Sequence, residues 1–199
     1  RDRVPACPAG RRAAVREAMG GSSVGWFVRV AGNRPWTPAV PEARRHAPDG
    51  TIIETCPGAA AIVYEVAGRL VEQGGAALFI DYGSDVVRDG STLQAVKSHR
   101  KVDPFAMPGE ADLTAHVDFA SLAPIVESRG CRWLGTVPQG RWLRALGIEA
   151  RAEALAGFAP QHASAVRSAM DRLIGEGQMG LLFKVFGMAS PKWPDGAGF

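Results

Sequence analysis

The hydrophobic positions change rhythm along the chain, and each rhythm predicts an element. VGWFVRVAG, Val24 to Gly32, has the β-branched and aromatic density of a strand. Residues 33–50 are broken by Pro35, Pro38, Pro41 and Pro48, which predicts a loop. TIIETCP gives a short strand. From Ala59 to Val71 the residues Ile62, Val63, Val66 and Leu70 recur at helical spacing, and Gly74–Gly75 supplies the stop. AALFIDYG, Ala76 to Gly83, opens with five apolar residues in succession and no alternation. That run predicts a strand covered on both faces, as in a parallel sheet.

Further on, Ser91 to Phe105 alternates polar and apolar residues and ends on Asp-Pro. Val117 to Gly130 predicts a helix with Phe119, Leu122, Ile125 and Val126 on one face and Asp118 as its N-cap. CRWLGTVPQ reads as a strand running into a turn. Arg141–Leu146, Glu149–Ala156 and Gln161–Ile174 read as helices. Met179 to Pro191 is a long apolar run holding one Lys184 and predicts a strand, and the Gly- and Pro-rich tail is expected to be loose. Helix, Gly-Gly and buried strand make one unit of an open α/β sheet. Residues 1–50 read as an irregular or edge-strand segment that precedes a core spanning 51–199.

Composition changes this picture little. Of the 199 residues, 46% are hydrophobic and 22% charged, ordinary for a globular chain. The net charge of +3 comes from dispersed Lys and Arg. The pairs Arg11–Arg12 and Arg44–Arg45 lack interleaved aromatics, so nucleic acid is set aside as a partner. No apolar run approaches the ~20 residues of a membrane helix. The three cysteines, Cys7, Cys56 and Cys131, are far apart, and their odd number fits a reducing compartment better than a disulfide framework. His46, His99, His116 and His162 offer no metal-ligand spacing. The first residues, RDRVPACPAGRRAAV, hold no Met and no apolar stretch of a signal peptide, and read as a chain entered partway through.

Candidate chemistry gathers in two places. In open α/β sheets ligands bind outside the carboxyl ends of the strands, and Asp81, Tyr82 and Gly83 end the apolar strand. A carboxylate and a phenol would face a cleft there, with Gly83 allowing a sharp turn. An Asp that caps the following turn explains Asp81 equally well. The second place is GEADLTAHVDFASL, Gly109 to Leu122, which sets Glu110, Asp112, Thr114, His116 and Asp118 within nine residues. Placed at a helix N-terminus, such acids are favoured by the helix dipole. Capping accounts for Asp118 but not for Asp112, Thr114 and His116. His99 is a further candidate, although a lone His among basic neighbours is more often solvated.

The run ALFIDYG…STLQAVKSHRKVDPFAMPGEADLTAHVDFASLA, then TVPQGRWLRALGIEAR and MGLLFKVFGMASP, resembles the C-terminal half of the MidA family. Its members are class I S-adenosylmethionine-dependent methyltransferases, among them the mitochondrial protein arginine methyltransferase needed for respiratory complex I assembly. The resemblance spans about Thr51 to Phe199. It implies a doubly wound, Rossmann-like sheet with extra helices, S-adenosylmethionine as cofactor, and a protein substrate that presents an arginine. It implies a bacterial cytoplasmic location or, in a eukaryote, the mitochondrial matrix.

By residue type, Asp81, Asp112 and Asp103 suit a cationic guanidinium fork, with Thr114 and His99 beside them on the substrate side. His116 suits proton acceptance or the holding of a carboxylate, and Tyr82 a cation–π wall. Ser91 and Phe105 stand where the family usually has Asp and Leu. The family's Gly-rich cofactor loop and the acidic residue after its second strand have no counterpart, so cofactor-binding residues are expected upstream of residue 1. The chain therefore reads as a fragment, inactive alone, with the missing half packing against a sheet edge left open. The alternative is a non-catalytic assembly or binding module derived from the family.

Overall fold

A computed structural model of the chain describes residues 14–18, 25–29, 44, 46–48, 51–106 and 109–199. In chain order the strands and helices begin with β1 (Ala14–Ala18), β2 (Gly25–Arg29), β3 (Ile52–Thr55), α1 (Pro57–Gln73) and β4 (Ala76–Ser84). Three short strands follow, β5 (Gln94–Lys97), β6 (Arg100–Val102) and β7 (Asp112–Thr114), then β8 (Val117–Asp118) and α2 (Ala123–Ser128). The remainder is β9 (Arg132–Pro138), α3 (Gln139–Ala145), α4 (Ile148–Phe158), α5 (Ala163–Ile174), α6 (Met179–Leu182) and β10 (Phe183–Ala189).

These elements form two compact units interleaved in sequence, Arg1–Gly58 with Arg88–Ala115, and Ala59–Val87 with His116–Phe199. The first holds two three-stranded antiparallel sheets, ordered β1-β2-β3 and β6-β5-β7. β5 and β6 join through Ser98 and His99, whose φ angles of 51° and 61° give the doubly left-handed turn that suits a two-residue hairpin. Glu54 ties the segment before β5 to β3 by accepting the Thr92 N–H at 2.6 Å and the Ser91 hydroxyl at 3.2 Å.

The second unit is an α/β layer. Its sheet runs β8-β4-β10-β9, with β10 antiparallel to both β4 and β9 and β8 parallel to β4. Val63, Ala67 and Leu70 of α1, with Phe119, Leu122 and Val126, bury against Phe186 and Met188 of β10. Phe119 stacks on Phe186 with ring centroids 5.8 Å apart. α1 ends as its sequence predicts: Gly74 and Gly75 take φ of 81° and 108°, and the Gly74 N–H returns to the Leu70 carbonyl at 2.9 Å.

Four sequence expectations are corrected. The strand from Ala76 forms, but it is not covered on both faces. Phe79 points to the α1 side while Leu78 and Ile80 alternate to the other face, 45% and 47% exposed. Its long pairing is with an antiparallel neighbour, not a parallel one. Val117 to Gly130 is not one helix. Val117 and Asp118 pair with Gly83 and Ser84, Phe119–Ser121 makes a 3₁₀ turn, and only then does α2 begin. The helical spacing of Phe119, Leu122 and Val126 marks core positions shared by the turn and the helix.

Met179–Pro191 divides into α6 and β10. Gly180 lets α6 approach the Ile174 carbonyl where any Cβ would collide, and this close packing holds a helical turn where the apolar run predicts strand. The tail is not loose. Gly135 and Gly187 oppose each other across β9 and β10, and the Phe199 ring lies on the slot they leave. Arg132 bonds the Trp193 carbonyl at 2.7 Å and pairs with Asp195. The expected strand at residues 24–32 appears as β2. Most of residues 1–50 falls outside the described residues.

Candidate functional site

β4 carries its polar residues only at its carboxyl end, where the apolar run Ala76–Ile80 gives way to Asp81 and Tyr82. The parallel pairing of Gly83 with Val117 draws the chain back to this strand end, which brings His116 there. The His116 and Tyr82 rings meet edge to face with centroids 5.8 Å apart. Tyr82 also meets Phe183 edge to face at 5.6 Å, so its ring is held from two sides. Asp81 accepts the N–H of Tyr82 at 2.8 Å through one carboxylate oxygen, and it lies directly across from Lys184 of β10. The Lys184 ammonium donates to the Leu181 carbonyl at 2.5 Å. A carboxylate, a phenol, an imidazole and an ammonium thus share one strand end, all half-buried.

Gly83 does not serve a turn. β4 runs through it to Ser84, and a Cβ at Gly83 would meet the Val117 carbonyl and the Phe119 ring. Glycine is required here for close approach of two chains, and that approach places His116. The Ser84 hydroxyl then makes the turn, donating to the Val86 carbonyl at 2.7 Å. Beside the strand end lies a cleft of about 160 Å³ walled by Ile62 and Val63 of α1, Phe79 and Ile80 of β4, and Val117 and Phe119. Among the described residues Asp81 is the one ionisable residue in its wall.

The structure therefore brings the Tyr82 and His116 rings together, with Asp81 preceding Tyr82 on the same strand end. The other four candidates belong to the other unit. Asp112 lies opposite Val96 and Thr114 opposite Gln94 in the pairing of β7 with β5. His99 is exposed at the β5–β6 hairpin turn. The exposed Asp103 accepts the Phe105 N–H at 2.9 Å and starts a turn. GEADLTAH accordingly does not sit at a helix N-terminus, and α2 begins five residues beyond Asp118. Asp118 does cap, accepting the Ser121 N–H at 3.3 Å at the 3₁₀ turn. Glu110, outside the candidate set, pairs with Lys97 at 2.6 Å.

Phe183 and Lys184 were not among the sequence candidates. Their signal was a lone Lys in the apolar run LLFKVFG, opposite the only acid of β4. Among the described residues no group of three His, Cys, Asp or Glu side chains could hold a metal ion, and no helix is long and apolar enough to cross a membrane.

A family described as "S-adenosyl-L-methionine-dependent methyltransferase" matches residues 14–137, more than half of the chain. The chain belongs to this methyltransferase family. It is 36% identical over 146 residues to the mitochondrial protein arginine methyltransferase NDUFAF7 of Danio rerio, covering 73% of this chain and 33% of that protein. It is 40% identical over 125 residues to the Drosophila melanogaster homologue, covering 62% and 28%. A Burkholderia thailandensis crystal structure superposes with a TM-score of 0.70 at 31% identity, over 94% of this chain and 53% of that one. A second Burkholderia thailandensis structure, bound to S-adenosyl-homocysteine, gives 0.66 at 30% identity, over 89% and 46%. The fold is that of the Rossmann-like methyltransferases of this superfamily. The chain spans about a third of the curated relatives it matches and about half of the solved chains.

The family's cofactor, S-adenosylmethionine, does not fit the groups gathered here. Sites for ligands of that size are usually ~300–1,000 Å³, and the cleft beside β4 is about 160 Å³ with apolar walls apart from Asp81. The two Gly-x-Gly triplets do not form a phosphate-type loop from strand to helix: Gly175–Gly177 links α5 to α6, and Gly196–Gly198 lies in the tail.

Proposed function

We propose that the chain is the C-terminal, substrate-side part of an S-adenosylmethionine-dependent protein arginine methyltransferase of the MidA type, spanning residues 51–199 after a preceding segment 1–50. The observation that carries this reading is the edge-to-face contact of Tyr82 and His116 beside Asp81, at the strand end where open α/β sheets take their ligands. A guanidinium presents a cationic, planar fork. The Asp81 carboxylate would pair with it, and the Tyr82 ring would face its charge, a contact of about 0.5–2 kcal/mol. His116 would take up the proton that the acceptor nitrogen sheds. Asp112, Thr114, Asp103 and His99 remain candidates for holding the flanking substrate chain.

The cofactor grip lies in the part of the fold that this chain does not span, and that part packs against the second unit's sheet. The names of the animal relatives support a mitochondrial location in a eukaryote, and the MidA resemblance carries the further reading of the matrix and of respiratory complex I assembly. A bacterial chain would work in the cytoplasm.

The test uses full-length protein carrying this chain. Asp81→Asn and His116→Ala each lower methyl-transfer turnover by about a hundredfold, while affinity for S-adenosyl-homocysteine by calorimetry stays within about twofold. Loss of cofactor affinity in step with turnover, or full turnover in both variants, overturns the assignment.

A further inference from the structure

α3, α4 and α5 lie apart from the residues of the strand-end site, and they leave an apolar groove between them. The groove measures about 470 Å³ and belongs wholly to the second unit. On α4, Ile148, Ala152 and Leu155 follow one another at helical spacing, and Val166, Met170 and Leu173 do the same on α5. Such stripes normally face a core. Here the buried Ala152 is too small to fill the space, and Leu146, Leu155 and Leu173 stay 49%, 44% and 37% exposed. Phe158 extends the α4 stripe by about one turn and is 91% exposed. A contiguous apolar patch that a folded chain leaves open marks an interaction surface.

Charge decides which partner fits. Residues 139–174 hold five arginines against three acids. All three acids are engaged: Glu149 by Arg144 at 3.3 Å, Glu153 by Arg167 at 3.0 Å, and Asp171 by Gln178 at 3.2 Å. Among the described residues, Arg151 is the one ionisable residue in the groove wall, and its side chain makes no ion pair or hydrogen bond. A cation left open on an apolar wall recruits a carboxylate that has apolar neighbours.

Form narrows the choice further. A second copy of this chain would bring the same excess of arginine and no unengaged acid on these helices. A membrane surface takes apolar side chains from an outward face, whereas these line a concavity. A helix of another protein is convex, repeats its apolar side chains at the same spacing, and lies lengthwise between two helices. α4 has 11 residues and is about 16 Å long, so the groove accepts about three turns.

We infer that the groove formed by α3, α4 and α5 docks an acidic amphipathic helix of a partner protein, its apolar face on Leu155, Met170 and Leu173 and a carboxylate on Arg151. The inference goes beyond methyl transfer and uses none of the strand-end residues.

Fluorescence anisotropy on the 199-residue chain tests it. The probe is a fluorescein-labelled peptide of about 15 residues, with leucines at i, i+3, i+4 and i+7 and two glutamates beside them. One control reorders the same residues so that no stripe forms, and a second replaces the glutamates by lysines. Saturable binding of the acidic helix is expected, with both controls weaker on the order of tenfold. Arg151→Glu should weaken the acidic helix about tenfold and strengthen the lysine helix by a similar factor. Phe158→Ser should weaken the acidic helix by about as much. Both positions are exposed, so circular dichroism and the denaturation midpoint should stay native.

Absence of saturation, equal binding by the reordered peptide, or indifference to Arg151→Glu overturns the proposal. So does concentration-dependent dimerisation in sedimentation that Phe158→Ser abolishes, which would give the groove to a second copy. Binding to phosphatidylserine vesicles in competition with the peptide would give it to a membrane instead. Loss of peptide binding in a longer protein that carries this chain would give it to the rest of the fold. Turnover plays no part in the readout, so a failed groove leaves the methyl-transfer assignment to the variants at Asp81 and His116.

Discussion

Gly83 sits where β4 comes closest to the segment that returns to it. Its missing side chain is occupied by the Val117 carbonyl and the Phe119 ring, one a backbone atom and the other a fully buried aromatic of the core. Neither can move without disturbing the pairing that places His116. Gly83→Ala should therefore destabilise the fold by about 1–3 kcal/mol, read as a lower denaturation midpoint, and loosen the Tyr82–His116 contact. A midpoint unchanged by the substitution would show that the strands part readily. Cys131 gives a second residue-scale outcome. Burial pushes its thiol above the usual cysteine range, while hydrogen bonds to the Arg132 and Ala189 backbone oppose that shift. A raised value means less thiolate, so at about pH 8 iodoacetamide should modify Cys131 at least about tenfold more slowly in the folded than in the unfolded chain. Rapid labelling in the native state would contradict its burial. Asp81 and Tyr82 stood out in the sequence because strand-end polarity after an apolar run is a local signal, and His116 stood out only within the GEADLTAH block. The ring contact between Tyr82 and His116 did not, because it depends on a parallel pairing of only two residues.

Elements whose identity follows from local periodicity were read well. α1 has a helical stripe, a double-glycine stop and enough length for both to register, and β4 follows it directly. The errors came where tertiary packing decides. Glu110, Asp112, Thr114, His116 and Asp118 stand at every second position, the spacing of an extended chain. That signal was available, and β7 and β8 use it, but the helical spacing that begins at Phe119 overshadowed it. Nothing local reveals that Gly180 must lie against Ile174. Nor does composition reveal that a Gly- and Pro-rich tail ends in an aromatic ring seated on two opposed glycines. That seat makes the tail part of the sheet layer. Phe199→Ala should lower stability by about 1 kcal/mol, in line with a half-buried aromatic, and Gly187→Ala should displace the ring. Both should hasten proteolytic trimming of residues 191–199 while leaving the core intact. Trimming at the parent rate would mean the slot does not hold the tail.

For the whole molecule the deciding matter is what a methyltransferase fold requires and where this chain would supply it. A cofactor site in such folds needs a glycine-rich turn between a strand and a helix, so that backbone N–H groups and the helix N-terminus face the ligand. Three junctions among the described elements lead from strand to helix. β3 enters α1 through Cys56 alone, β8 passes through Phe119–Ser121 into α2, and β9 runs straight into α3. None contains a glycine loop. On the proposed reading, the groups present serve the acceptor cation and its proton. The 199-residue chain alone should therefore show no saturable heat with S-adenosyl-homocysteine up to about 1 mM, a ceiling that corresponds to only ~4 kcal/mol of binding. On the proposed reading, a longer protein that carries this chain with the remainder of the fold should bind it. Micromolar binding by the chain alone would place a cofactor grip within these residues. Absence of binding in the full-length protein as well would count against methyl transfer itself and favour an assembly role that retains the family's fold.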